Sequence, residues 1–242
     1  MIRVLVWNEF YHETTSEKVR SIYPDGIHAA IAEFLGREED ITVRTAHLGM
    51  ENCGITKEIL DETDVLIWWG HVKHAEVPDG VATLVRDAVL DGMGAIFLHS
   101  AHHSKPFKAL MGTSCNLTWR ESNDSEILWV IDPAHPITRG IDRFFRLECE
   151  ETYGEPFVIP NPDRVLLIGN YSGGEVFRSG VLYDRGNGKI FYFQPGHESY
   201  PTFYNESVQR IIKNAVRFVA PTYRATITCP HVRTVDDENY VI

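Results

Sequence analysis

Apolar positions along the chain fall into short unbroken runs and longer stripes. Ile2–Trp7 is a nearly continuous apolar run that stops at Asn8 and Glu9. A strand covered on both faces reads this way, because neither face meets water. Val65–Trp69 repeats the pattern and stops at Gly70 and His71; Ala95–Leu98 repeats it and stops at His99 and Ser100. Ile41–Ala46 is a further strand. Between these runs the spacing changes to that of a helix. Pro24 can open a helix whose stripe is Ile27, Ala30, Ile31, Phe34 and Leu35, with Gly36 ending it. Pro78–Leu90 has Val81, Leu84, Val85, Ala88 and Val89 at helical spacing, closed by Asp91-Gly92-Met93-Gly94. Residues 12–23 are polar and charged and read as a loop long enough to be functional. Strands and helices that alternate in this way build a parallel sheet with helices on both faces.

From about residue 112 to 188 the pattern shortens. Ile127–Ile131, Arg146–Glu150 and Val165–Ile168 read as strands. Val176–Tyr183 and Lys189–Phe193 flank the turn Asp184-Arg185-Gly186-Asn187-Gly188, a hairpin signal. An antiparallel portion is therefore expected beside the parallel sheet. Asn205 then caps a helix with Val208, Ile211, Ile212, Ala215, Val216 and Val219 on one face, and Pro221 stops it. The expected fold is a three-layer α/β/α domain over residues 1–221 with a mostly parallel sheet. Residues 222–242 lack a helical period and read as a surface tail.

Composition narrows the function classes. The 242 residues are 43% hydrophobic and 24% charged, as in an ordinary globular domain. The net charge of −11 argues against a nucleic-acid partner, since such a surface repels phosphate backbones. No apolar run approaches the ~20 residues of a membrane helix, and MIRVLVWNEF lacks a signal-peptide layout. A cytoplasmic location without a membrane partner is expected. Cys53, Cys115, Cys149 and Cys229 are widely spaced and read as free, mostly buried thiols.

The 11 histidines carry the candidate chemistry. In an open parallel sheet, ligands bind beyond the carboxyl ends of the strands. Asn8 and Glu9, Gly70 and His71, His99 to His102, and Gln194 to Glu198 all follow predicted strands, so ionisable groups converge on one rim. His197 lies in a Pro- and Gly-punctuated turn that can hold a side chain firmly. Of the neighbours His102 and His103, only one readily faces the rim, and we favour His102. His99 reads as a site residue or as a satisfied core histidine. His28, on the first helix, is a weaker candidate. Trp68 and Trp69 point to opposite sides of their strand, so one is core and the other could wall a sugar site. Ser100 follows a strand where a nucleophile elbow would sit, but Leu98 and His102 replace the glycines of that motif; it reads equally as a helix cap. Walker, Rossmann and HExxH patterns are absent, so no nucleotide cofactor is expected.

Several segments, in order, resemble the ThuA family of trehalose-utilisation proteins, which have a class I glutamine-amidotransferase-like, flavodoxin-like fold. They are VWNEFYHE (6–13), YPDGIH (23–28), DVLIWWGHVKH (64–74), LHSAHHSK (98–105), HPITRGI (135–141), EETYGEP (150–156), GGEVFRSG (173–180) and FYFQPGHESYPT (191–202). In glutamine amidotransferases the elbow after the fourth strand holds a cysteine, and a His-x-Glu follows a late strand. Here Ser100 takes the elbow position and His197 and Glu198 are adjacent, so glutamine hydrolysis is disfavoured. The resemblance implies disaccharide catabolism through 3-keto sugars. His197 is then the expected base or acid. His71 and His102, alone or holding a divalent metal (zinc or manganese) with His197, are expected to stabilise the enolate. Ser100 is a further catalytic candidate; Asn8, Glu9, His28, Trp69, Gly70, His99, Trp119 and Glu198 are expected to contact a small sugar substrate. A homo-oligomer is expected. Glu150, Glu151 and Tyr153 belong either to the pocket or to a subunit interface. The competing readings are a non-catalytic sugar-binding or regulatory protein on an amidotransferase scaffold, and a hydrolase using Ser100 as nucleophile.

Overall fold

The computed structural model describes residues 1–226. In chain order its strands are β1 (Ile2–Asn8), β2 (Ile41–His47), β3 (Val65–Trp69), β4 (Gly94–Leu98), β5 (Thr118–Val130), β6 (Phe144–Gly154), β7 (Arg164–Tyr171), β8 (Val176–Arg185) and β9 (Gly188–Phe193). The helices are α1 (His12–Thr15), α2 (Glu17–Ile22), α3 (Ile27–Leu35), α4 (Lys57–Asp61), α5 (Asp79–Leu90), α6 (Lys105–Met111) and α7 (Glu206–Val219). The strands form one sheet in the order β2-β1-β3-β4-β9-β8-β7-β5-β6.

The sheet is mixed rather than mostly parallel. The four junctions from β2 to β9 are parallel, and the four from β9 to β6 are antiparallel. The expectation of a mostly parallel sheet fails because the chain after residue 112 returns by hairpins rather than by helical crossovers. The β8–β9 hairpin has the two-residue loop Gly186-Asn187, with Gly186 at φ 59°, a conformation glycine adopts without a Cβ penalty. Residues 12–23 are not a loop but the two short helices α1 and α2, which lack the apolar stripe that would have announced them.

The unbroken apolar runs are explained by cover on both faces. In β1, Val4 and Val6 pack into one core with Ile27, Ile31 and Phe34 of α3 and with the buried stripe of α7. Leu5 and Trp7, on the opposite face, pack with Leu60 of α4, Val81 and Val85 of α5 and Phe107 of α6. Each buried side chain of this size stabilises the fold by about 1.5–3 kcal/mol, so a one-residue slip of β1 would exchange its two sets of partners. Asn205 caps α7 as expected, its side chain accepting from the Ser207 and Val208 amides. The described part of the tail lies on the same chain, Arg224 donating to the carbonyls of Leu60 and Thr63; residues 227–242 lie outside the described residues.

Candidate functional site

The chain leaves β1 to one side for β2 and to the other for β3, and a crevice opens where the order reverses. Glu9, just after β1, sits at that point. Its carboxylate is buried and accepts the backbone N–H groups of His71 (2.8 Å), Val72 (3.0 Å) and Lys73 (2.8 Å). Glu9 therefore holds the turn that presents His71 and is not among the residues that line the cleft. Asn8 is likewise saturated: it donates to Glu13 (2.7 Å), faces His28 Nδ1 (2.9 Å) and accepts from the Phe10 amide (3.0 Å). His28 stands behind the site, its protonation disfavoured by burial.

A second buried carboxylate does for the β9 turn what Glu9 does for the β3 turn. Glu150 on β6 accepts from the amides of Gly196 and His197 (3.0 Å each) and from the Thr202 hydroxyl (2.8 Å). Gly196 has φ 134°, and a Cβ there would collide with the Phe203 ring at 2.6 Å. Trp69, expected to wall a sugar site, is fully buried and donates from Nε1 to the Gly196 carbonyl (2.9 Å). It props the His197 turn from inside the core. Its neighbour Trp68 stacks on Trp7 with ring centroids 3.8 Å apart. Gly70 is buried between Trp68, His74 and Glu9.

These props bring three imidazoles together. Ring centroids are 5.7 Å apart for His71 and His99, 5.1 Å for His71 and His197, and 5.3 Å for His99 and His197. Glu151, next to Glu150 on β6, completes the group, and one ligand-capable atom from each of the four lies within 4.8 Å of the others. His99 follows β4 directly at φ 54°. That left-handed backbone is strained for a non-glycine residue and is characteristic of functional turns. The strained position after β4 is thus His99 rather than Ser100. Ser100 Oγ hydrogen-bonds Tyr153 Oη (2.7 Å), and among the described residues no histidine hydrogen-bonds it. The α6 cap is Ser104, not Ser100.

Hydrogen bonds assign the ring nitrogens. His99 Nδ1 donates to the Gln194 carbonyl (3.0 Å), which leaves Nε2 facing Glu151 at 3.0 Å. Burial opposes the His99 imidazolium, but Glu151 outweighs it and the net shift is upward. Burial likewise pushes the Glu151 carboxyl up, and His99 pulls it net down. His71 Nδ1 faces Glu198 at 3.1 Å, and His12 Nδ1 faces the same carboxylate at 3.0 Å. Against its burial, these two histidines hold Glu198 far below the usual carboxylate range. His197 differs: its Nδ1 accepts the Ser199 amide (3.1 Å). Burial, with His99 second, lowers its pKa to about 4, so near neutrality it is uncharged and its proton sits on Nε2.

The group opens into a cleft of about 490 Å³ bordered by Ser100, His103 and the 65%-exposed Trp119, within the roughly 300–1,000 Å³ of small-molecule sites. His102 lines the cleft but stands apart from the four. Its Nδ1 donates to the Cys115 carbonyl (2.8 Å), its ring packs near Tyr153 and Phe157, and burial keeps it neutral. The ligand-capable group therefore contains His99 and Glu151 where His102 was expected. His12 sits on a short helix without an apolar stripe, so nothing in the spacing of the chain marks it as a site residue. Of the two places open to Glu151, pocket or subunit interface, it lies on the cleft beside the histidines.

Comparison with known proteins agrees with this architecture. The sequence matches the ThuA family, described as trehalose utilisation, over residues 3–219. A Parabacteroides merdae protein described as ThuA-like superposes with a TM-score of 0.63 at 16% identity, covering 95% of this chain and 93% of that one. A cytoplasmic protein from Salmonella typhimurium gives 0.63 at 11% identity, covering 91% and 100%. A glutamine amidotransferase from Thermotoga maritima gives 0.54 at 10% identity, covering 90% and 97%. At these identities the superpositions speak to fold alone. No curated protein matches the sequence. With the family match spanning nearly the whole described fold, the chain belongs to the ThuA family.

Proposed function

We propose that the protein cleaves a 3-keto disaccharide by acid/base chemistry in the cleft above β3, β4 and β9. The observation that supports this most is the neutral His197, with its N–H on Nε2, set beside the His71, His99 and Glu151 group. A ketone at C3 acidifies the proton on C2. The His71–His99–Glu151 group accepts that proton, and negative charge builds on the C3 oxygen. His197 Nε2–H donates to that oxygen; a neutral imidazole does so without a buried cation. The C1–O bond to the second sugar then breaks as C1=C2 forms, and the leaving oxygen takes up the proton released from C2. Water adds across C1=C2 to give the free keto sugar. Among the described residues no histidine hydrogen-bonds Ser100, so this reading gives it no covalent part.

The test is turnover of 3-ketotrehalose, with trehalose as the unoxidised control. His197→Ala should lower kcat about 10²–10³-fold, the usual loss for one donor to a developing oxyanion, with the circular dichroism spectrum unchanged. Full activity in that variant would remove His197 from the chemistry. If the wild-type protein binds such sugars without converting the keto form, the binding-protein reading replaces the catalytic one.

A further inference from the structure

We propose that His71, His99 and Glu151 hold one divalent transition-metal ion, with open coordination positions facing the cleft and His197 beside it as a non-ligating donor. The proposal deepens the keto-sugar reading, and only the ion's role in turnover rests on that reading.

His99 Nδ1 carries its proton toward the Gln194 carbonyl, so in the neutral ring Nε2 presents a lone pair. That lone pair stands 3.0 Å from Glu151 Oε2. Both atoms are buried, and among the described residues neither has a hydrogen-bond partner. Two acceptors facing each other in a dry site need a cation, either a proton or a metal ion, between or beside them. An ion about 2.0–2.2 Å from each ligand sets neighbouring ligand atoms roughly 2.8–3.1 Å apart at a right angle and roughly 3.3–3.6 Å apart at the tetrahedral angle, so that spacing matches a near-right-angle pair.

The surroundings favour a metal. His71 turns Nδ1 to the Glu198 carboxylate, which leaves its Nε2 free. Metal-ligating histidines usually donate their other N–H to a carboxylate or a backbone carbonyl, which fixes the tautomer and raises ligand basicity. His71 has the carboxylate and His99 has the carbonyl. His197 has the reverse arrangement: the Ser199 amide donates to Nδ1, so the Nε2 of its neutral ring carries hydrogen and cannot ligate. Two imidazoles and one carboxylate with open positions suit zinc, manganese or iron. Such an ion would polarise the ketone and lower the pKa of a bound water to about 7; with the ion in place that water, rather than the three side chains that ligate the ion, would accept the C2 proton.

The experiment uses untagged full-length protein, stripped with a chelator, dialysed and titrated with Co²⁺ and Zn²⁺. Calorimetry, metal analysis and Co²⁺ absorption in the visible are the readouts. The expected result is one ion per chain, with affinity reduced at least 100-fold in His99→Ala and Glu151→Gln. His71→Ala, on a partly exposed loop and safer for folding, should weaken binding comparably. Glu198→Gln should weaken it about 10–100-fold, as loss of an outer-shell partner does, and His197→Ala should leave the stoichiometry at one. Failure of the wild-type chain to bind either ion stoichiometrically overturns the proposal, as does binding untouched by His71→Ala. Loss of binding in His197→Ala overturns the three-ligand assignment. A chain that binds one ion as described but turns over no keto sugar keeps the metal site and overturns the functional reading instead.

Discussion

At the scale of single residues, the site is organised by carboxylates that never face the cleft. Glu9 receives three backbone amides of the His71 turn, and Glu150 receives two from the His197 turn. An anion that accepts several amides substitutes for the hydrogen bonds a turn cannot make with itself. Glu9→Gln replaces one acceptor oxygen by an amide NH2 group that faces N–H groups. It should cost about 1–3 kcal/mol, the penalty for a buried donor left without a partner. Urea unfolding measures that loss, and hydrogen exchange locates it: the Val72 and Lys73 amides should exchange faster while those of α7 do not. Unchanged protection at Val72 and Lys73 would mean that the carboxylate is not what orders the turn. Glu9 was legible as a rim residue because it follows an apolar run. Its role was not, because the amides it accepts lie 62 to 64 residues away.

At the scale of elements, the parallel strands and the antiparallel extension contribute different things. β3, β4 and β9 end in turns that deliver His71, His99 and His197. β6 crosses from the other half of the sheet and supplies both Glu150 and Glu151, one to hold a turn and one to face the histidines. β5 carries Trp119 along the rim of the cleft, more than half exposed. An exposed indole beside a polar cleft suits the apolar face of a sugar ring. Trp119→Ala should raise KM for a keto disaccharide several-fold with kcat little changed, because an aromatic wall binds ground state and transition state alike. Steady-state kinetics decides it, and a fall in kcat at constant KM would place Trp119 in the chemistry instead. Trp69, expected with Trp119 to contact a sugar, is buried instead, because alternation says that Trp68 and Trp69 face opposite sides, not that helices cover both of those sides.

At the scale of the whole molecule, several carboxyls are carried inside the sheet, and this makes stability depend on pH. Glu126 on β5 is fully buried, and burial, with the Glu150 charge second, pushes its carboxyl well above the ordinary range. The folded state therefore keeps a proton that the unfolded chain releases above about pH 4.5. Stability from this group is complete below that pH and falls as pH rises toward the raised folded-state pKa, by up to about 1.4 kcal/mol per pH unit. Glu126→Gln mimics the protonated side chain and retains an acceptor for the Ser179 hydroxyl, which now lies 2.9 Å from Glu126. Its melting temperature relative to wild type should therefore rise between pH 5 and pH 8. A constant difference across that range would show that Glu126 is ionised in the folded protein.

What the sequence determined by itself was local or periodic. Unbroken apolar runs marked strands covered on both faces, a 3.6-residue stripe marked α3, α5 and α7, and the polar residues after each run marked the rim. These follow from how a backbone with fixed periodicity meets water. Tertiary structure alone decided which rim residues meet. It placed Glu151 among the histidines through an antiparallel strand, made His12 a partner of Glu198, turned His102 to the Cys115 carbonyl, and buried Trp69 beneath the His197 turn. Pairing between distant strands sets those neighbours, and the tautomer of each histidine depends on the hydrogen bond its other nitrogen makes. Those hydrogen bonds come from residues far away in the chain, and no spacing along the sequence encodes them.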